Sequence, residues 1–258
     1  MKVRQTLARL RRELAIALAI AAKDVRVYYL APPMIMFGLL LPFFMFFSFS
    51  VRRGLAPAES VARLLAITTF FTASSAGPVI LPMERSMRTF ERMLVAPVAL
   101  ISVLAGEAAV GMLFGAGVSI LTLLLATIFL GVRLVSPVAL IAAVLLASAA
   151  FSALGLLFAS WPTSSATPVG SIMMPATLVR WPLMFVSGVF VPLEQMSQPL
   201  RAISYLSPLT YAQDLFDHLV MGRGLQPAAL NWAALVAFLV IFIAVTIWFH
   251  RVQRQRGY

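Results

Sequence analysis

The chemistry open to this chain is set by a few ionisable side chains in an otherwise apolar sequence. Only two lysines occur, Lys2 and Lys23, and neither precedes Ser or Thr. The GxxxxGK[ST] loop that cradles nucleotide phosphates is therefore missing. The histidines His218 and His250 have no His or Cys partner at ligand spacing, and there is no cysteine at all. Zinc sites, thiolate nucleophiles and disulfides are accordingly not expected. No HExxH or GxSxG pattern occurs, so no catalytic residue and no bound cofactor or metal is assigned.

Three places remain where polar groups concentrate. The first is PMERSMRTFERMLVAP, residues 82–97, dense in both signs of charge. Glu84, Arg88, Glu91 and Arg92 recur at helical spacing and can pair along one helix. Two readings fit it equally. It is a solvated loop helix, or it docks into a groove on a cytoplasmic partner through Glu84, Arg85, Arg88, Glu91 and Arg92, with alternating charge setting the register. The second place is Glu107 with Arg180, each inside an apolar stretch, where an ionisable residue is costly. Glu107 is expected to snorkel toward the nearer interface. Arg180, beside Trp181 and Pro182, either partners backbone carbonyls near a proline break or lines a transport path. The third is the semi-polar stretch 192–226. Its Asp214 and Asp217 stand three apart and could chelate a cation, but the favoured reading is a pair of solvated charges at a membrane margin.

These groups are positioned by long apolar elements. The chain of 258 residues is 61% hydrophobic and 11% charged, with mean hydropathy +0.96. A soluble domain is closer to 45–50% apolar and about 25% charged. A spanning helix needs about 20 mostly apolar residues, and six stretches qualify: roughly 28–51, 61–82, 100–130, 137–161, 169–191 and 228–249. Residues 1–27 are basic, with Leu7, Leu10, Leu14 and Leu18 at helical spacing, and suit an amphipathic helix on the membrane surface. The expectation is one all-α membrane domain over residues 1–258.

The net charge of +11 is read as cytoplasmic-margin cations meeting anionic lipid, not as a nucleic-acid footprint. Lys and Arg crowd the first 26 residues, the segment 85–92 and the tail 251–256. Both ends are therefore expected in the cytoplasm. Aromatic residues in the first two spans, among them Phe43, Phe47 and Phe71, fit a path for an amphipathic or lipid-like cargo, and equally fit lipid-facing helices.

Nearly the whole chain resembles the permease subunit of type-2 ABC exporters, the group that includes drug-resistance, nodulation-factor and polysaccharide exporters. The resemblance is carried by the basic N-terminus, by ERSMRTFERMLVAP, by SGVFVP at the exit of the fifth span and by ISYLSPLTYAQD before the sixth. One departure is Asp217, where family members often carry Arg or Gln. The resemblance implies that Glu84–Arg92 is a cytoplasmic coupling helix. It also implies outer re-entrant helices between the fifth and sixth spans, marked here by Gly188, Pro192, Pro208, Tyr211 and Asp214. Two copies of a separate ATPase, carrying ATP and Mg, would drive a pair of such permeases, identical or siblings, in a bacterial inner membrane. An ion-coupled secondary transporter, or a non-transporting membrane assembly component, is the alternative.

Overall fold

The computed structural model describes residues 2–28, 56–87, 100–160 and 168–255, with Pro32, Met36, Leu40 and Phe44 singly. The expected first span, 28–51, and the charged residues Arg88, Glu91 and Arg92 thus lie outside the described residues, as do Phe43 and Phe47. Among the described residues the secondary structure is helical, without strands.

In chain order the helices are α1 (Lys2–Tyr28), α2 (Pro57–Ser86), α3 (Leu100–Leu130), α4 (Pro137–Ala159), α5 (Pro168–Val186), the short α6 (Gln198–Ser204), α7 (Pro208–Met221) and α8 (Ala228–Gln255), with a 3₁₀ turn at Leu193–Gln195 before α6. Five are long and apolar enough to cross a membrane: Pro57–Ser86, Ile101–Leu130, Pro137–Ala159, Val169–Val186 and Ala228–Val252. Prolines set several starts. Pro57, Pro137 and Pro208 sit in the first turn, where an absent N–H leaves nothing unsatisfied and the fixed φ favours helix.

Helix α2 is the hub. In its most apolar window 94% of residues are buried, against 11% in α8. It packs on α3 and α4 over most of its length, and on α5 and α7. Its sequence explains how one helix can be covered on every side. Ala, Ser, Thr and Gly keep much of its surface thin, and Phe70 and Phe71 fill what remains. Phe70 meets Phe71 and Phe151 edge-to-face at 5.4 and 5.0 Å, the geometry the ring quadrupole favours. The hydroxyls of Thr69, Thr72, Ser74 and Ser75 donate to the carbonyls four residues back, at 2.5–2.6 Å. A buried hydroxyl on an apolar helix is thereby satisfied without leaving it.

Gly77 and Gly155 let α2 and α4 touch backbone to backbone. A Cβ on Gly77 would lie 2.8 Å from the Gly155 carbonyl carbon. Gly111 and Gly115 of α3 face Ala73 in the same way, so this small-residue pair serves packing within the chain.

Three boundaries differ from expectation. α2 extends past 61–82 at both ends and takes in Glu59, Glu84 and Arg85. α5 stops at Val186, not near 191, because Ser187 and Gly188 turn the chain. Gly188 has φ +88°, which a side chain would oppose. α8 runs on to Gln255, carrying the basic tail as helix beyond 249.

Candidate functional site

Polar side chains gather in three places along the bundle. The first is the junction of α1, α2 and α3. Leu14 and Leu18 of α1 stay exposed beside Arg11 and Arg12, while Ile20, Ala21 and Asp24 turn inward. Gly106 admits α1 against α3: a Cβ there would stand 2.9 Å from the Ala17 carbonyl oxygen. Ser102 of α3 donates to Glu13 Oε2 at 2.5 Å. Ala21 packs on Ala76, Val79 and Ile80 of α2.

Within this apolar seam Lys23 Nζ reaches the Glu84 carboxylate at the end of α2 and lies 2.8 Å from Asp24 Oδ1. Burial works against the Lys23 charge, but hydrogen bonds to Asp24 and Glu84 outweigh it and hold the ammonium above its ordinary pKa. Burial pushes the Asp24 carboxyl up, Lys23 draws it back, and the Glu84 charge pushes it up again, to about 7. Glu107 of α3 joins them. Oxygens of Asp24, Glu84 and Glu107 all lie within 4.8 Å of one another, and all three residues are buried.

One expectation is corrected here. Glu107 is 1% exposed, so it does not snorkel to an interface. Glu84 is fully buried and pairs with α1. Its neighbour Arg85 is half-buried.

The second place lies midway along α2. Pro78 cannot donate to the Ser74 carbonyl one turn earlier. The Arg180 guanidinium of α5 donates to that carbonyl, and its Nη1 donates to Ser75 Oγ at 3.3 Å. It also lies 5.9 Å from the centre of the Phe158 ring, within cation–π range. Arg180 and Glu107 therefore have separate partners and do not pair. Arg180 and Phe71 are both buried among the described residues. Of the two readings of Arg180, the carbonyl partner at a proline break is the one observed, with the break in α2 and not at its own neighbour Pro182.

The third place is the end of the bundle opposite α1, where α6 and α7 cover it. Arg63 of α2 pairs with Glu59 at 2.5 Å and donates to the Val189 carbonyl at 2.5 Å. It thus holds the turn that ends α5. Tyr211 Oη donates to the Tyr205 carbonyl at 3.1 Å, closing α7 onto the end of α6. Asp214 accepts the backbone N–H groups of Leu225 and Gln226 at 2.5 and 2.9 Å and the Asn231 side-chain amide at 2.6 Å. It is 6% exposed, which corrects its reading as a solvated charge. With both oxygens taken by N–H donors it is not a cation ligand but the organiser of the α7–α8 connection.

Asp217 accepts from Gln213 at 3.0 Å. Arg63, Glu194, Gln213, Asp214 and Asp217 line a cavity of about 50 Å³, room for a water or two and no larger cargo. Pro192 lines it as well. Pro208 begins α7.

Sequence reasoning missed three of these participants. Arg63 stands four residues after Glu59, a spacing that signals a helical ion pair. Asp24 and Lys23 carried no signal, because their partners lie about 60 and 80 residues away in the chain.

Comparison with known proteins adds the following. Residues 17–221 match the family described as ABC-2 type transporter. The inner membrane transport permease YadH of Escherichia coli K12 is 29% identical over 170 residues, covering 66% of this chain and 64% of YadH. The YadH proteins of Escherichia coli O157:H7 and Shigella flexneri match to the same extent. The matched region thus spans just under two thirds of the length of these relatives.

Proposed function

This chain belongs to the ABC-2 type transporter family, and on that premise we propose that it is the membrane-spanning permease subunit of an ATP-driven exporter. A separate ATPase, two copies per complex, supplies the energy and binds the ATP and Mg. A second permease copy, identical or a sibling, completes the path. The cargo is amphipathic: drug-like, lipid or glycan-type. The chain sits in a bacterial inner membrane with six crossings and both ends cytoplasmic, the first crossing at 28–51.

The observation that carries this reading is the Lys23–Glu84 ion pair. It ties the basic amphipathic α1 to the last turn of α2, just before the charged segment containing Arg88, Glu91 and Arg92. A push delivered to α1 or to that segment would reach α2, the most buried helix among the described residues. Glu84, Arg85, Arg88, Glu91 and Arg92 form the docking segment, which Glu84 ties back to α1. Gly188, Pro192, Pro208, Tyr211 and Asp214 shape the outer cap, and Phe43 and Phe47 belong to the path. An ion-coupled transporter would need carboxylates staged through the bilayer. Among the described residues of the five candidate spans, acidic side chains occur only toward the ends.

Co-purification tests the proposal. Expressed with its neighbouring genes, the tagged chain should bring down an ATPase. If none is recovered, the exporter reading fails. Exchanging charges in Glu91→Arg with Arg92→Glu should uncouple transport from ATP hydrolysis at normal expression, and unchanged coupling would remove the docking assignment.

A further inference from the structure

Among the described residues, the junction of α1, α2 and α3 holds more negative charge than positive. Asp24, Glu84 and Glu107 supply three carboxylates, each essentially inaccessible to water, and Lys23 supplies one ammonium. Uncompensated buried charge is costly, so such groups are paired, neutralised or bound to a metal. Lys23 is engaged on one side only, through Asp24 Oδ1 and Glu84 Oε1. On the other side Asp24 Oδ2, Glu84 Oε2 and both oxygens of Glu107 have no hydrogen-bond donor among the described residues.

Glu107 is the decisive member. It arrives from a third helix, is 1% exposed, and has a carboxylate oxygen within 4.8 Å of the other two carboxylates, with no donor among the described residues.

We propose that Asp24, Glu84 and Glu107 bind one hard divalent cation, which fastens α1 to α2 and α3. The donor set is oxygen only, as Mg²⁺, Mn²⁺ and Ca²⁺ require. Bond lengths to such ions run from about 2.0 to 2.6 Å, so oxygens on one ion stand up to about 5 Å apart. The three carboxylates already satisfy that limit at 4.8 Å. Charge closes as well: three carboxylates and one ammonium leave two negative charges, which one divalent ion cancels. Lys23 keeps its two contacts while the free oxygens take the ion. Its side chain is 36% exposed, so the cluster opens to solvent on that side, the way an ion would enter. The inference rests on the geometry of three helices and is independent of the exporter reading.

The test uses the full chain, stripped with EDTA, in nanodiscs of zwitterionic lipid so that headgroups do not hold the probe. Mn²⁺ is titrated and followed by electron paramagnetic resonance. One saturable Mn²⁺ per chain is expected, displaced by excess Mg²⁺ or Ca²⁺. Glu107→Gln keeps the shape of the side chain and should weaken Mn²⁺ binding at least about tenfold. Lys23→Gln removes a like charge near the ion and should tighten it, whereas a merely structural ion pair would give no gain. Thermal unfolding read in parallel should show a metal-dependent rise in the wild type that Glu107→Gln lacks. No saturable Mn²⁺ in the wild type, as when protons neutralise the cluster, overturns the proposal. So does equal binding by wild type and Glu107→Gln. If Glu107→Gln does not fold, Lys23→Gln decides alone: tighter Mn²⁺ binding supports the site, and unchanged or weaker binding overturns it.

Discussion

Arg180 of α5 donates a hydrogen bond to the carbonyl of Ser74 in α2, the carbonyl that Pro78 deprives of its helical donor. A buried carbonyl without a donor costs about 1–3 kcal/mol, and an arginine in an apolar bundle is costly without acceptors. Each defect is the remedy for the other. A proline bend is thereby kept in the middle of the hub helix without an orphaned backbone group.

Arg180→Met should therefore destabilise the purified chain by about 2–4 kcal/mol, through the orphaned Ser74 carbonyl and the lost contact with Ser75. Pro78→Ala returns an N–H to that carbonyl. Combined with Arg180→Met it should recover part of the loss, so the two substitutions will not add. Thermal unfolding of the four proteins in one detergent gives the cycle. Strict additivity would show that Arg180 does not serve the proline break.

How far the sequence discloses such relationships depends on how local their partners are. The bounds of α3, 100–130, follow from hydropathy alone, because Glu107 is the single charged residue in that stretch before the loop at Gly131. The end of α5 does not. Val189, Phe190 and Val191 continue the apolar run, yet the chain turns at Gly188 because Arg63, about 125 residues earlier, takes the Val189 carbonyl. The α6–α7 pair is expected from the resemblance, with Pro208 marking the start of its second helix. Asp214 was read as solvated because its acceptors' partners lie on the far side of a turn, beyond the reach of any local pattern. The carboxylates of Asp24, Glu84 and Glu107 are spread over some 80 residues, and only the packing of three helices brings them together.

Asp214 supplies the next expectation. Three N–H donors converge on its carboxylate, and charged acceptors make the stronger bonds. Asp214→Ala should cost about 2–4 kcal/mol and free the connection between Met221 and Ala228. Limited trypsin digestion at Arg223 reads this directly: the wild type should resist cleavage there and the variant should not. Equal cleavage rates would mean that the connection is held by other contacts.

Asp217 makes stability depend on pH. Burial pushes its carboxyl up to about 7, the Gln213 amide and the Arg63 charge draw it down, and Asp214 and Glu59 push it up again. An unfolded Asp titrates near 3.9. Between those values the folded chain holds a proton that the unfolded chain has released, so this group's contribution falls as pH rises from about 4 to about 7 and is level above that. Asp217→Asn should remove the slope. It should leave stability nearly unchanged at pH 4 and raise it at pH 8 by on the order of 2 kcal/mol, after allowing for partial solvent screening. Melting temperatures of both proteins across pH 4–8 decide it, and parallel curves would contradict the assignment.

The α2–α4 crossing predicts opposite outcomes for two glycines that sequence alone cannot tell apart. At Gly77 a Cβ would stand 2.8 Å from the Gly155 carbonyl carbon and 2.8 Å from the Leu156 nitrogen, whereas at Gly117 nothing lies within 4 Å. The atoms facing Gly77 are backbone and cannot rotate aside, so Gly77→Ala must spread the two helices and should cost about 1–3 kcal/mol. Gly117→Ala meets open space on an exposed face and should gain up to about 1 kcal/mol from helix propensity. Thermal unfolding of the two variants under one condition separates them. A neutral Gly77→Ala would mean that α2 and α4 do not meet backbone to backbone at this point, and the Pro78 bend beside it would then have room that the buried Ser74 carbonyl does not show.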